Sequence, residues 1–247
     1  MVRLSVNVNK VATLRNSRGG DVPSLLEAVQ VVLDAGARGI TVHPRADQRH
    51  ITPRDVRDVT SLLAPRRADV EFNIEGDPRP DLLALVHEVR PHQCTLVPVK
   101  AGEITSQAGW PADTPRQALG TVVSDLRAAG IRVSLFVDPD IQAVAWAADL
   151  GADRVEIYTE PYARAFARGP GAASRGFADC VAAAERAHAL GLGVNAGHDL
   201  DLANLPLFRT LPHLAEVSIG HALVSRALFV GLDRSVRDYL AAVEGAG

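Results

Sequence analysis

The sequence predicts an α/β protein, a single (β/α)₈ barrel of the TIM type with extra helices, and three observations carry that expectation. Short β-branched runs alternate with longer Ala/Leu-rich amphipathic stretches, the signature of βα units in a parallel sheet. Eight such units fit in 247 residues, the size of a barrel of this kind. The first strand leads into Asn7-Val8-Asn9-Lys10-Val11-Ala12 and not into a glycine-spaced dinucleotide fingerprint, which disfavours the runner-up, a doubly wound open sheet.

Strands are expected at 4–8, 39–42, 70–74, 94–97, 133–137, 154–158, 193–196 and 216–219, each rich in Val, Ile, Leu or Phe. The clearest helices between them are 24–35, 52–63, 116–129, 141–150 and 177–190, with an additional one at 232–243. Gly36, Gly130, Gly151 and Gly191 stand where a left-handed C-cap would end a helix. The stretch Arg168-Gly169-Pro170-Gly171-Ala172-Ala173 reads as part of a long loop after strand six. No linker rich in Pro, Gly or Ser divides the chain, so residues 1–247 are expected to form one domain.

Composition narrows the function. Lys plus Arg total 26 against 29 Asp plus Glu, a formal charge of −3, so there is no basic excess for a nucleic acid or an anionic membrane. A small-molecule partner is the expectation. Cys94 and Cys180 lie in apolar stretches without a ligand pattern, which fits a reducing cytoplasm and implies neither disulfide nor zinc site. The N-terminus lacks a signal-peptide pattern, and no apolar run reaches the roughly 18 residues that span a bilayer. The chain is therefore expected to be soluble and uncleaved.

In a barrel the active site lies at the carboxyl ends of the strands, so the polar residues placed there are the candidates. Strand one supplies Asn7, Asn9 and Lys10, strand two His43, Arg45 and His50, and strand three Glu75. Strand four is followed by Thr105, strand seven by His198 and Asp199, and strand eight by Gly220 and His221. Of the other histidines, His87 and His188 fall in helical stretches, while His92 and His213 precede strands at the opposite face. Glu75 follows an apolar strand, where desolvation would lift its pKa toward proton transfer; an ion pair with Arg45 or Arg79 is the plain alternative. Arg45 and Arg49 beside His50 suit an anionic substrate. Gly197-His198 and Gly220-His221 repeat on consecutive strands, where glycine would let backbone N–H groups approach a phosphate.

Other chemistries recede. Asn7-x-Asn9 replaces the His-x-His of barrel metallohydrolases, so no metal is expected. No Ser-His-Asp or Cys-His arrangement has a nucleophile-elbow context. Only Lys10 and Lys100 are lysine, and Lys10 at the rim keeps open a Schiff-base aldolase acting on a related phosphosugar. Segment 99–115, with Gly102 and Gly109 as hinges, is a candidate lid.

Residues 6–19 (from Val6-Asn7-Val8-Asn9-Lys10 to Arg18-Gly19), Gly39-Ile40-Thr41-Val42-His43-Pro44-Arg45, Arg49-His50-Ile51, Val194-Asn195-Ala196-Gly197-His198 and Ile219-Gly220-His221-Ala222 together resemble the pyridoxine 5′-phosphate synthase family, nearly end to end. The resemblance implies a cofactor-free condensation of 3-amino-2-oxopropyl phosphate with 1-deoxy-D-xylulose 5-phosphate in vitamin B6 biosynthesis, releasing pyridoxine 5′-phosphate, phosphate and water. It implies His43 and Glu75 as proton acceptors and His198 as proton donor. It further implies that Asn7, Arg18, Asp199, Gly220 and His221 hold the amino-ketone phosphate, and that Arg45, His50 and Thr105 hold the deoxyxylulose phosphate. A homo-oligomer, an octamer built from dimers, is implied as well. The chain resembles a branch with Asn9-Lys10 where the more familiar pattern has Asp-His, and it has Asp199 where Gly often follows the donor histidine. Lys10 would there supply the positive charge of a protonated histidine.

Overall fold

The computed structural model describes residues 2–99 and 106–245. Eight parallel strands close on themselves in chain order: β1 (Arg3–Asn7), β2 (Gly39–Val42), β3 (Glu71–Gly76), β4 (Gln93–Leu96), β5 (Arg132–Val137), β6 (Arg154–Tyr158), β7 (Gly193–Gly197) and β8 (Leu214–Ile219). Closure is explicit in the register, where Arg3 and Leu4 of β1 stand beside Glu216 and Val217 of β8. The open-sheet alternative is thereby excluded. Strand ends fall within two residues of the sequence expectation, with one consequence for the site: Glu75 lies inside β3, not after it.

The helices are α1 (Asn9–Asn16), α2 (Leu25–Asp34), α3 (Pro53–Leu63), α4 (Pro80–Val89), α5 (Arg116–Ala128), α6 (Ile141–Asp149), α7 (Glu160–Ala167), α8 (Pro170–Ala189), α9 (Leu205–Phe208), α10 (His221–Val230) and α11 (Leu232–Glu244). Local chemistry starts several of them. Ser24 accepts the Glu27 N–H at the head of α2, and Thr52 with Asp55 forms a reciprocal capping box on α3. Gly36, Gly130, Gly151 and Gly191 all take positive φ just past helix ends, as expected. The stretch expected as a long loop after strand six is instead helical. α8 begins at Pro170, seven residues before the expected start, and α7 precedes it. Pro161 and Pro170 each occupy a first-turn position, where the missing N–H costs no hydrogen bond, so they start helices here. None of the described helices is long and apolar enough to cross a membrane.

The apolar side chains of the strands point out to the helices: Leu4, Val6, Ile40, Val42, Phe72, Ile74, Val133, Leu135, Val155 and Ile157 are buried there. The alternate residues point into the barrel and are polar. Ser5 bonds Thr41 at 2.7 Å, Thr95 donates to Asn73 at 3.0 Å, and Gln93 and Asn195 join the same network. At the amino-terminal end Glu71 is bridged by Arg3 (2.8 Å) and Arg132, while Arg154 donates to Asn195 at 2.7 Å. Breaking such a buried pair strands the remaining charge. With Arg3 and Arg132 keeping 40% and 29% exposure, Glu71→Leu is expected to cost about 1–2 kcal/mol, read as a lowered urea midpoint at unchanged m-value.

Candidate active site

The strands' carboxyl ends enclose a cavity of about 440 Å³. β1 and the head of α1 bring Asn7, Asn9 and Lys10 to it, β2 and its loop His43, Arg45, Arg49 and His50, and β3 Glu75. From the far side come His198 and Asp199 after β7, and Gly220 and His221 where β8 turns directly into α10. Two of the residues singled out from sequence are not placed there. Arg18 is exposed beyond α1 and does not line the cavity. Thr105, with Lys100 and Gly102, lies outside the described residues. Gly109, expected as a hinge, is pinned: its N–H donates to Asp138 Oδ1 at 2.9 Å, and an added Cβ would stand 2.2 Å from the Asp138 nitrogen.

Backbone bonds set the near wall. Asn7 Oδ1 accepts the Asn9 N–H at 3.1 Å, and Asn9 Oδ1 accepts the His43 N–H at 2.9 Å, so the first βα turn anchors the end of β2. The Asn7 amide donates to Glu75 Oε2 at 3.4 Å. Arg15 of α1 forms a two-pronged pair with Asp55 (2.6 and 2.9 Å), and Asn16 donates to the His50 carbonyl at 2.8 Å. α1 thus clamps the loop that carries Arg45 and His50. The glycines of the repeated Gly-His theme serve close approach and not a positive φ. A Cβ on Gly197 would meet Glu156 Oε1 at 2.4 Å, and one on Gly220 would meet Asn7 at 3.0 Å.

The electrostatics follow from burial. His43 is driven down to about 3, first by desolvation and then by His50, Arg45 and Arg79, so its imidazole is neutral at physiological pH. Its Nδ1 stands 3.7 Å from Glu75 Oε2, and its buried Nε2 has no hydrogen-bond partner among the described residues. Glu75 is pushed up to about 8 by burial and by Glu216, partly offset by a hydrogen bond from Ser218. The expected alternative, an ion pair of Glu75 with Arg45 or Arg79, is not what forms: Arg79 is engaged with Asp77, Asp81 and the Pro44 carbonyl. His50 is lowered to about 4 by burial, Arg45 and Lys10. Its Nδ1 accepts the Ile51 N–H at 3.0 Å, which places the ring proton on Nε2. The positive charge at this end therefore comes from Arg45, Arg49 and Lys10.

Glu156 was not among the residues singled out from sequence. It lines the cavity from the middle of β6, and burial, then Glu75 and Glu216, raise its pKa well above the ordinary carboxyl range. The available signal was an acid inside an otherwise apolar strand. At the opposite end Gly220, His221 and Ala222 line the cavity at the start of α10, a helix N-terminus without a side-chain cap, where an anion is favoured.

Comparison with known proteins agrees with this geometry. The family described as pyridoxal phosphate biosynthesis protein PdxJ matches residues 4–245. The pyridoxine 5′-phosphate synthase of Bacteroides fragilis strain YCH46 is 52% identical over 243 residues, covering 97% of this chain and 98% of its own length. That of Christiangramia forsetii is 49% identical over 241 residues, with the same coverage. Among solved structures, 3-hexulose-6-phosphate synthase superposes with a TM-score of 0.63 at 14% identity, over 98% of this chain and 100% of that one. Phosphoribosyl anthranilate isomerase from Thermus thermophilus gives 0.59 at 15%, covering both chains fully. These two share the fold alone.

A carboxyl whose pKa is higher folded than unfolded binds more protons in the native state, so its contribution to stability falls as pH rises between the two values. For Glu75 that window runs from about 4.5 to about 8. His43, lowered from 6.5 to about 3, acts oppositely below its own window's upper limit and is silent above it. Glu75→Gln is therefore expected to be more stable than the parent at pH 8, with a gap that grows by up to about 1 kcal/mol per pH unit from pH 6.5. Denaturant titrations at several pH values measure the gap, and a constant difference would count against a buried, proton-holding Glu75.

Proposed function

We infer from membership in the pyridoxal phosphate biosynthesis protein PdxJ family, to which this chain belongs, that the cavity makes pyridoxine 5′-phosphate, with His43, Glu75 and His198 moving its protons. The enzyme is a pyridoxine 5′-phosphate synthase of vitamin B6 biosynthesis, joining 3-amino-2-oxopropyl phosphate to 1-deoxy-D-xylulose 5-phosphate. The observation that carries the assignment of roles is the His43–Glu75 pair: a neutral imidazole 3.7 Å from a carboxyl that exchanges its proton near neutral pH, in a cavity with anion-holding groups at both ends.

Imine formation, loss of phosphate and water, and ring closure each require proton transfers at a different atom, which several positioned acids and bases supply. Glu75 and His43 take protons, His43 through a neutral imidazole that lines the cavity beside Glu75. His198 returns a proton from the opposite wall. The amino-ketone phosphate is assigned to Asn7, Gly220 and His221, with the backbone N–H of Asp199; its phosphate meets the head of α10. Arg45 and His50, with Thr105, take the deoxyxylulose phosphate, and Lys10 adds charge at the mouth. The amine comes from the substrate, so no lysine Schiff base is needed. Lys10 is exposed at the rim, whereas an aldolase lysine is desolvated in an apolar pocket. The homo-oligomer belongs to the same proposal: Leu228 and Phe229, 70% and 89% exposed at the end of α10, offer a second copy an apolar face.

Purified protein mixed with both phosphates is expected to yield pyridoxine 5′-phosphate by absorbance and mass. Its absence, together with a borohydride-trapped adduct on Lys10, would establish the aldolase instead. Glu75→Gln should lower kcat by about 10²- to 10⁴-fold with KM nearly unchanged. Because the acceptor must first lose its proton, kcat/KM is expected to rise with pH toward about 8. A substrate ammonium beside Glu75 favours the ionised form, so the limb in kcat should lie lower. Lys10→Met should raise KM for the deoxyxylulose phosphate about tenfold, roughly 1.4 kcal/mol, and unchanged kinetics would remove Lys10 from the site.

A further inference from the structure

The turn after β7 holds two consecutive non-glycine residues at positive φ, His198 at 85° and Asp199 at 60°. Such conformations persist only where the surroundings over-determine them. Here three successive carbonyls are clamped. The buried Thr159 donates through N and Oγ1 to Gly197 O (3.0 and 2.9 Å), its hydroxyl also reaches His198 O, and Asn204 Nδ2 donates to Asp199 O at 3.0 Å. The result of this clamping is one short contact: Asp199 Oδ2 stands 2.9 Å from His198 Nδ1. Tyr158 packs edge-on against the same imidazole, ring centres 5.1 Å apart at 73°.

Resting on the reading of His198 as proton donor, we propose that Asp199 is a positioning residue. Its carboxylate accepts the Nδ1–H of His198, fixing the ring so that Nε2 is the lone-pair nitrogen of the neutral form; Nε2 takes up a proton and the resulting imidazolium, still held at Nδ1, gives that Nε2 proton to substrate and returns to the neutral Nδ1–H form. The side chain of Asp199 is then not a phosphate ligand. A carboxylate aimed at a phosphate would repel it, and this one is held low, first by the hydrogen bond from His198 and then, against partial burial, by the charges of His198 and His221. What Asp199 offers a phosphate is its backbone N–H alone. The arrangement follows the His–carboxylate logic by which an acid selects the productive tautomer of an imidazole, here with an acid whose side chain is 40% exposed and which is held to the ring by the clamped turn.

The test uses Asp199→Asn and Asp199→Gly, because both residues tolerate positive φ and keep the turn. Each is expected to lower kcat by about 10- to 100-fold while KM for 3-amino-2-oxopropyl phosphate stays within about threefold. Asp199→Glu should recover part of the loss. Imidazole ¹⁵N shifts of the labelled enzyme should show neutral His198 as the Nδ1–H form in the parent, and a shift toward Nε2–H in Asp199→Asn. Parental kcat in both variants, or a change confined to KM, would overturn the proposal, the second by making Asp199 a substrate ligand. His198→Ala separates the two levels. If it turns over normally, the donor assignment fails and takes this proposal with it; if it is inactive while the Asp199 variants are not, only the role of Asp199 fails.

Discussion

Charge balance inside the barrel is the constraint on which the rest of this protein depends. Barrel interiors are ordinarily filled with layers of branched apolar side chains. Here the inward positions carry Glu71, Asn73 and Glu75 on β3, Gln93 and Thr95 on β4, Glu156 on β6 and Glu216 on β8, all buried. A buried carboxylate must be paired or must hold a proton. The two ends of the barrel solve this differently. At the amino-terminal end Arg3 and Arg132 bracket Glu71, and Arg3 also reaches Glu216 at 3.7 Å. Toward the carboxyl end Glu75 and Glu156 have no arginine against them, and the pKa of each is raised by burial and by the other acids. Close pairing thus fixes Glu71 in the floor, whereas burial raises Glu75 to about 8 and Glu216, reached by Arg3 only at 3.7 Å, to about 7.

That division explains why the site can be both precise and reactive. His43 is fixed through its backbone by Asn9, and the loop bearing Arg45 and His50 is clamped through Arg15, Asn16 and Asp55. The ionisable groups of the cavity are thus mounted on strand ends and tight turns, while their titration is left to the dielectric around them. Burial costs Glu75 stability in its ionised form, and the same burial brings its titration to about 8. The close packing of Gly197 against Glu156 and of Gly220 against Asn7 keeps both walls at their spacing without a flexible element.

Much of this was legible in the sequence because strand ends are local. The order of β-branched runs located eight strands to within two residues, and with them the rim positions of Asn7, His43, Arg45, His50, His198 and His221. The proline-initiated helices α7 and α8 were not, since Pro161, Gly169 and Pro170 read as a loop unless a helix start is considered. Glu156 was missed because an acid within a strand is indistinguishable from one on an exposed edge until closure buries it. Arg18 shows the converse: its motif is clear in the sequence, yet its side chain is exposed and does not line the cavity.

By itself the sequence determined the barrel, the family and the rim, because periodicity, strand order and long motifs are properties of the chain alone. Only the tertiary structure decided what those residues are worth chemically. Whether Glu75 pairs with an arginine or keeps its proton depends on which side chains converge from β1, β2 and β8. That His50 is neutral follows from burial beside Arg45 and Lys10, and that Asp199 faces an imidazole follows from a turn clamped by Thr159 and Asn204. Protonation and orientation are set by distances between residues far apart in sequence, and no local pattern encodes them.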